Sequence, residues 1–240
     1  MSSTPWGGRW DGLLPAGDSH QRSRTIVRHT GGIVRGKFPS RKNGRMVHHE
    51  GLLELDAIYL FETSPRIVRF REQMPPIRYA DGDRLRQYTP DFEVVLDTGE
   101  LIMVEVKPTR SLVDSEIRHK IDCIRAYYRR REQAFVVLSE EVLRKEPRQS
   151  NLRWIYHQAP RVMPTQEAIR IALARIERNL PASLHQLSSL LERHGVDPFS
   201  ALLAGLLMCR LDLPVSMDTQ VELNEENSHE WLFAADESGL

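Results

Sequence analysis

Two short stretches decide the fold, Tyr88-Thr-Pro-Asp91-Phe and Glu105-Val-Lys107. The residues between them form two β-rich runs, 92–96 and 101–106, and the Asp-Thr-Gly that separates the runs is typical of a tight turn. The sequence therefore predicts a β-hairpin with Asp91 at the start of its first strand and Glu105 near the end of its second. We expect the two carboxylates to lie close together.

The charged residues of this hairpin are of the types that metal-dependent phosphodiester hydrolysis needs. Glu105 and Lys107 are two positions apart, so their side chains leave the same face of the strand. Asp91 and Glu105 could hold a hard cation such as Mg²⁺, and Lys107 could orient the attacking water or offset developing negative charge. The alternative is a solvated ion pair on an exposed strand. The apolar run 101–104 argues against it, because charges at the end of a buried strand are costly unless they are paired.

The motif Pro90-Asp91 … Glu105-Val106-Lys107 resembles the signature of PD-(D/E)xK nucleases, and its surroundings resemble the TnsA endonucleases of Tn7-type transposons. Three further stretches carry the closer resemblance, at residues 38–47, 50–56 and 70–75. The resemblance implies an α/β fold with a restriction-endonuclease-like αβββαβ core and a mixed sheet. It also implies a DNA endonuclease that uses Mg²⁺, for which Mn²⁺ substitutes.

The same resemblance extends the predicted metal site beyond the hairpin. It assigns a ligand role to Glu54, which lies between leucines in a predicted helix at residues 50–63. Glu50, one turn earlier, is the second candidate, and a glutamate at the edge of the core is the structural alternative. The main-chain carbonyl of Val106 is a further implied ligand. The predicted catalytic set is therefore Glu54, Asp91, Glu105 and Lys107.

DNA contact is predicted for residues in the basic N-terminal region, for Gln73, and for residues on the basic face of a helix predicted at 114–131. These residues are Arg41, Lys42, Arg45, Gln73, Arg118 and Lys120. Lys42 and Gln73 match family positions at which phosphate contact and structural support are both open. For the helix face, a solvated surface is the alternative.

The resemblance also implies a reaction and its partners. The substrate would be double-stranded DNA at transposon ends, cut at the 5′ ends while a DDE transposase (TnsB-like) cuts the 3′ ends. An AAA+ ATPase (TnsC-like) is a further expected partner. Two alternatives stay open: a restriction or phage-defence nuclease on the same core, and a non-catalytic adaptor that docks DNA in a transposition complex.

Composition agrees with a soluble intracellular protein, and the resemblance implies a location in the bacterial cytoplasm, with association to the nucleoid when the protein is active. No apolar run approaches the length of a membrane span, so no membrane role is expected. Cys123 and Cys209 lack ligand-like spacing and predict neither a disulfide nor a zinc site. Charge is uneven: residues 1–50 carry nine Lys/Arg against three Asp/Glu, and residues 211–240 carry eight acidic residues and no Lys/Arg. The basic segment favours phosphate contact, whereas the acidic tail would be repelled by DNA.

The 240 residues are long enough for two domains. We predict a flexible tail at 1–24, a nuclease domain at 25–160, and a winged-helix-like domain with an acidic tail at 161–240. The nuclease domain also has predicted strands at 66–71, 77–79 and 135–138. In the C-terminal domain, Thr165, Ser183 and Asp197 should each cap a helix, the last running through Leu207. An extended pair at 211–215 and 220–223 would form the wing, and a protein-binding role is favoured because the exposed positions are not basic.

Overall fold

The computed structural model describes residues 34–224, which divide into two compact units. Within this range the first unit comprises residues 34–62 and 67–143, and the second comprises residues 63–66 and 144–224. The predicted tail at 1–24 and most of the acidic C-terminal segment lie outside the described residues. The second unit thus takes over at residue 144, ahead of the predicted domain boundary near 160, and the assignment of functional domains stays a prediction.

The first unit opens with a hairpin and a helix. Strands β1 (Gly36–Ser40) and β2 (Arg45–His49) pair antiparallel, and helix α1 (Leu52–Thr63) follows. The ring of Phe61 in α1 packs against Phe92 with centroids 5.3 Å apart. This aromatic contact places α1 on the sheet that carries the hairpin of Asp91 and Glu105.

The remaining described elements of this unit are six strands and three helices. In chain order they are β3 (Ile67–Glu72), β4 (Ile77–Asp81), β5 (Arg84–Tyr88), β6 (Phe92–Leu96), β7 (Leu101–Val106), α2 (Thr109–Leu112), α3 (Ser115–Arg129), β8 (Ala134–Leu138) and α4 (Glu140–Leu143). The strands predicted at 92–96 and 101–106 are confirmed as β6 and β7. The helix predicted at 114–131 is confirmed as α3, and its N-cap Asp114 accepts hydrogen bonds from the main-chain N–H groups of Glu116 and Ile117.

The central sheet has four strands in the order β3-β6-β7-β8. β3, β6 and β7 pair antiparallel, whereas β7 and β8 pair parallel across the crossover formed by α2 and α3. The series α1, β3, β6, β7, α3, β8 is the predicted αβββαβ order. This mixed sheet fits a nuclease-like core.

Strands β4 and β5 form a second, separate hairpin. The strand predicted at 77–79 lies within β4, but β5 was not predicted. Its first four residues are exposed and mostly polar, so they lack the apolar alternation of a half-buried strand. The last, Tyr88, is buried in a cluster with Tyr79, Met103, Ile124 and Tyr128, which fastens the hairpin to α3 and β7.

The second unit is mainly helical. It contains α5 (Arg148–Gln158), α6 (Gln166–Ile176), β9 (Ala182–Ser183), α7 (Leu184–Glu192), α8 (Pro198–Leu203), β10 (Leu207–Met208) and β11 (Gln220–Leu223), with a 3₁₀ turn after α6. All three predicted caps are confirmed: the side chains of Thr165, Ser183 and Asp197 accept main-chain hydrogen bonds at the starts of α6, α7 and α8. Ser183 forms a full capping box with Gln186.

Two predictions for the second unit are wrong. The predicted strand at 211–215 is not formed, because Asn151 donates to the carbonyls of Leu211 (2.9 Å) and Leu213 (2.7 Å) and accepts from Val215 N–H (2.9 Å). The helix predicted through Leu207 ends at Leu203, since Gly205 has a φ of +70° and turns the chain.

The small sheet of the second unit pairs other segments instead. It is three-stranded in the order β10-β11-β9, so β11 confirms the strand predicted at 220–223 but has different partners. The winged-helix assignment stays a prediction. No helix among residues 34–224 has both the length and the apolar character needed to cross a membrane.

Candidate active site

The central hairpin brings four of the predicted site residues together. The main-chain N–H of Val106 donates to Asp91 Oδ2 at 2.8 Å, which ties the start of β6 to the end of β7. Lys107 Nζ lies 2.9 Å from Glu105 Oε1, so the two side chains share a face as their spacing predicts. Glu105 is only 5 % exposed. Its charge is therefore held in a site with little access to water.

Helix α1 adds Glu54 to this group. The pKa of the Asp91 carboxyl is raised well above its usual range, by burial first and then by the negative charges of Glu105 and Glu54. The Val106 hydrogen bond and the Lys107 charge oppose this shift without cancelling it. The structure thus brings Glu54 of α1 and Glu105 of β7 close enough to repel the charge of Asp91, which directly precedes β6, and these three residues form the acidic cluster.

Of the two glutamates left open by the sequence, Glu54 acts electrostatically on the cluster. It interacts electrostatically with both Asp91 and Lys107. The carboxylate of Glu50 instead accepts a hydrogen bond from Gln73 Nε2 at 2.8 Å. Glu54 Oε2 accepts from the main-chain N–H of Glu50 at 2.7 Å, which orients the Glu54 side chain at the start of α1.

Lys107 is the cation of the cluster. Burial lowers the pKa of its ammonium, but Glu105, Asp91 and Glu54 together raise the pKa by more, so the net shift is upward. Its side chain is about one-third exposed, at 30 %. Lys107 therefore stays protonated at neutral pH while it keeps access to solvent.

Tyr88 is a site residue to which the sequence analysis gave no role. Its hydroxyl donates to Glu105 Oε2 at 2.6 Å, so Tyr88 and Lys107 each hold one oxygen of the Glu105 carboxylate. Burial and the charge of Glu105 raise the pKa of the Tyr88 phenol, which stays neutral and donates. Tyr88 was missed because strand β5, which ends at Tyr88, was not predicted. With residues 84–88 as a strand, Tyr88 lies at its end and shortly before the start of β6.

The acidic cluster has the chemistry of a site for a hard divalent cation. Carboxylate oxygens are the ligands that Mg²⁺ prefers, and a cation would relieve the repulsion that raises the pKa of Asp91. Within residues 34–224, however, Glu54, Asp91 and Glu105 do not each have an oxygen within 4.8 Å of the other two. Two of these carboxylates are held by other groups. Glu105 contacts Lys107 and Tyr88, and Glu54 accepts a hydrogen bond from the main chain of Glu50. The donor set fits the ion, and side-chain rotation would have to bring its oxygens together.

Comparison with protein families gives the second line of evidence. Residues 64–140 match a family model described as the N-terminal domain of TnsA-like endonucleases. This segment is therefore similar to that domain, and we call it the TnsA-like segment. A search of curated proteins found no match to the chain.

The TnsA-like segment contains most of the candidate site. Asp91, Glu105 and Lys107 lie within it, whereas Glu54 precedes it in α1. The match covers the strands β3 to β8, and therefore the whole central sheet. Nucleases of this kind generally use a divalent metal, which agrees with the acidic cluster, although the match does not specify Mg²⁺.

Two of the residues predicted to contact DNA, Arg45 and Gln73, hold parts of the first unit in place. Arg45 forms a two-point ion pair with Glu72, with N–O distances of 2.9 and 2.7 Å. Gln73 takes a positive φ of 53°, donates its main-chain N–H to the Asp91 carbonyl at 2.8 Å, and donates its side-chain amide to Glu50. Gln73 thus joins the start of α1 to the start of β6, on either side of the acidic cluster.

Lys42 and Arg41 lie in the turn between β1 and β2. Lys42 Nζ donates to the Phe61 carbonyl at 2.8 Å, and burial lowers its pKa to about 7 against the opposing charge of Glu62. The main-chain N–H of Arg41 donates to Glu62 Oε1 at 2.7 Å. These contacts match the structural support that the sequence analysis left open for Lys42, and DNA contact by the turn stays a prediction.

Arg118 and Lys120 lie on the exposed surface of α3. The Lys120 ammonium is 5.3 Å from the centre of the Tyr88 ring, which places this face of α3 beside the residue that holds Glu105. The exposure of both side chains is compatible with phosphate contact, and their DNA role stays a prediction.

Proposed function

We propose that this protein is a Mg²⁺-dependent DNA endonuclease that cleaves the 5′ ends of a Tn7-like transposon together with a DDE transposase. The TnsA-like match supports a nuclease of the Tn7 type. The observation that carries the proposal is the position of Asp91 within that segment. Its carboxyl is repelled by the charges of Glu105 and Glu54 and accepts a hydrogen bond from the main-chain N–H of Val106.

Glu54, Asp91 and Glu105 would hold the metal ion, and the main-chain carbonyl of Val106 is a further candidate ligand. When bound, a divalent cation polarises a phosphoryl oxygen and lowers the pKa of a bound water. Mn²⁺ should substitute, since it accepts the same oxygen ligands.

Lys107 contributes positive charge where the phosphate must bind. Its ammonium is 2.9 Å from Glu105 and keeps partial exposure, so it can approach a phosphate oxygen without leaving the site. A fixed cation at this position would offset the negative charge that builds on phosphorus as the water attacks. It would also orient the attacking water between itself and the carboxylates.

Tyr88 and Gln73 would hold the acidic groups in place. Tyr88 fixes one oxygen of Glu105, and Gln73 fixes the carbonyl of Asp91 and the side chain of Glu50. Gln73 has a left-handed backbone conformation where it makes these contacts. Non-glycine residues adopt this conformation mainly where the surroundings enforce it. Both residues are positioning residues in the proposal.

The proposed partners follow from the TnsA-like match. They are double-stranded DNA at the transposon ends, a TnsB-like DDE transposase and a TnsC-like AAA+ ATPase. The second unit would serve protein binding, and the protein would act in the bacterial cytoplasm at the nucleoid. Because cleavage of transposon ends needs both strands cut, we expect activity to rise when the transposase is present.

Cleavage of supercoiled plasmids tests this proposal. A plasmid carrying transposon ends and one lacking them would be incubated with Mg²⁺ or Mn²⁺, with and without the cognate transposase. Nicking or linearisation by the wild type should disappear in Asp91→Ala. The matched control is Asp83→Ala, which removes an exposed aspartate from the turn of the β4–β5 hairpin and should leave cutting unchanged.

The outcomes distinguish the three functions considered for this protein. Metal-dependent cutting at transposon ends that requires the transposase supports the proposal. Equal cutting of both plasmids without transposase would support a restriction or phage-defence nuclease instead. DNA binding with no cutting under any condition would indicate a non-catalytic adaptor.

A further inference from the structure

A second group of metal-binding side chains lies away from the acidic cluster, between the β4–β5 hairpin and α3. Asp81 is the last residue of β4, and His119 and Cys123 are four positions apart on α3. Residues at this spacing share one face of a helix, so the histidine and the cysteine point the same way. The hairpin turn brings the aspartate to that face.

The three ligand atoms converge on a common point. His119 Nε2 lies 2.7 Å from Asp81 Oδ1 and 3.6 Å from Cys123 Sγ, and all three ligand atoms lie within 4.8 Å of one another. Among residues 34–224 this is the one group of three or more such side chains that meets this distance. The convergence therefore distinguishes these residues from the acidic cluster, whose oxygens are further apart.

The neighbouring groups orient the aspartate. Arg86 on β5 contacts Asp81 Oδ2, which leaves Oδ1 turned toward His119. A partner that holds the outer oxygen of a carboxylate is the usual way in which a ligating group is oriented. The side chain of Asp81 is 16 % exposed, whereas that of His119 is 64 % exposed, so an ion could reach the group from solvent.

A cavity of about 570 Å³ lies at the same place. Asp81 and His119 line it together with Glu116, which is three residues before His119 on α3. A fourth coordination position could thus be filled by water. Three protein ligands with one open position is a common arrangement for zinc.

The ligand types select the class of metal. A thiolate and an imidazole favour Zn²⁺ and similar transition metals, whereas an all-oxygen site favours Mg²⁺. We infer that Asp81, His119 and Cys123 form a second metal site, specific for Zn²⁺-like ions and separate from the acidic cluster. Binding releases the Cys123 thiol proton to solvent, because the thiolate is the ligand.

The site would fasten the hairpin to the helix. β5 leads from Arg86 to Tyr88, whose hydroxyl holds Glu105. A metal that clamps Asp81 to α3 would therefore stabilise the hairpin that supports the acidic cluster. This predicts a thermal stabilisation by Zn²⁺ that does not depend on nuclease activity.

Cobalt substitution tests the site directly. The full-length protein, reduced with a phosphine that does not bind metal, would be titrated with Co²⁺ and followed by absorption spectroscopy. Binding of one equivalent with a thiolate-to-cobalt charge-transfer band is expected. Cys123→Ser should abolish the band, and His119→Gln should weaken Co²⁺ affinity by more than about tenfold. Zn²⁺ should raise the melting temperature of the wild type but not that of Cys123→Ser.

Matched control variants show which side chains give rise to the charge-transfer band. Cys209→Ala removes the other cysteine, and His185→Gln removes an exposed histidine of the second unit; both should keep the band. Asp91→Asn should also keep it, which separates this site from the acidic cluster. Absence of the band in the wild type would reduce the group to a surface ion pair and overturn the inference. Loss of the band in Cys209→Ala, or its persistence in Cys123→Ser, would overturn it equally.

Discussion

Glu62 and Asp91 are two enclosed carboxyl groups of the same unit, and their surroundings are opposite. Glu62 accepts hydrogen bonds from Ser40 Oγ at 2.6 Å, Arg41 N–H at 2.7 Å and Lys42 N–H at 3.2 Å. The pKa of Glu62 is raised because burial outweighs the opposing influences, which are the charge of Lys42 and the hydrogen bonds from Ser40, Arg41 and Lys42. The fold provides this carboxylate with donors on both oxygens.

Asp91 has the reverse balance. Burial raises its pKa, and the next two influences, Glu105 and Glu54, raise it further. One main-chain donor, Val106 N–H, and the charge of Lys107 oppose them. Glu62 therefore has hydrogen-bond donors on both oxygens, whereas Asp91 lies among like charges. The arrangement around Asp91 is the one expected of a carboxylate that binds a cation.

The largest expected effect is on cleavage by Asp91→Asn. Loss of a carboxylate ligand removes the charge that holds the metal, so the rate should fall at least about 10³-fold, equivalent to about 4 kcal/mol. The measurement is the initial rate of plasmid nicking in Mg²⁺ under the conditions that activate the wild type. Asp83→Asn is the control, and a loss of less than about tenfold would remove Asp91 from the metal site.

Glu62→Ala should have the largest effect on stability. It leaves Ser40 and the main-chain N–H groups of Arg41 and Lys42 without their acceptor and removes the negative charge that acts on the Lys42 ammonium, at a cost of about 3–5 kcal/mol in the free energy of unfolding. Urea denaturation followed by circular dichroism measures this cost. The exposed Glu141→Ala is the control, and an equal loss in both variants would show that Glu62 is not a structural acid.

Tyr88→Phe should have an intermediate effect. The ring and its packing are kept, but Glu105 Oε2 loses its donor, so cleavage should fall about 10–100-fold with the fold intact. The measurement is the plasmid nicking rate as a function of metal concentration, which would show weaker metal activation. Tyr127→Phe is the control, and unchanged cleavage in Tyr88→Phe would mean that Glu105 is oriented without its help.

The smallest effect is on the pH dependence of stability in the metal-free protein. Because the folded-state pKa of Asp91 is raised above its usual value of 3.8, the folded state holds this proton to higher pH than the unfolded state does. Stability is therefore lost as the pH rises through the interval between the two pKa values. Melting temperatures with a chelator should decline less steeply over this interval for Asp91→Asn. A decline of the same slope in the variant would contradict the shift.

The second metal site could not be predicted from the sequence. His119 and Cys123 have helical spacing that was available in the sequence, but two ligands on one helix are too common to predict a site. The third ligand, Asp81, lies 38 residues before His119 and reaches it only because the β4–β5 hairpin folds against α3. The hairpin itself was missed because the exposed polar residues of β5 carry no periodic apolar signal.

The second unit shows the same limit. The three helix caps were predictable because a cap is a local interaction between a side chain and the next turn of main chain. The strand predicted at 211–215 failed because Asn151, about 60 residues away, takes its carbonyl and N–H groups. No local pattern encodes that competition.

By itself, the sequence determined the β6–β7 hairpin, the helices α1 and α3, and the neighbourhood of Asp91, Glu105 and Lys107. Alternation, turn residues and capping act over a few residues, and they are sufficient for those features. Only the tertiary structure decided that Glu54 acts on Asp91, that Tyr88 holds Glu105, and that the Lys42 ammonium interacts with the charge of Glu62. Each of those outcomes depends on desolvation and on charges brought together by packing, and both quantities are properties of the folded chain.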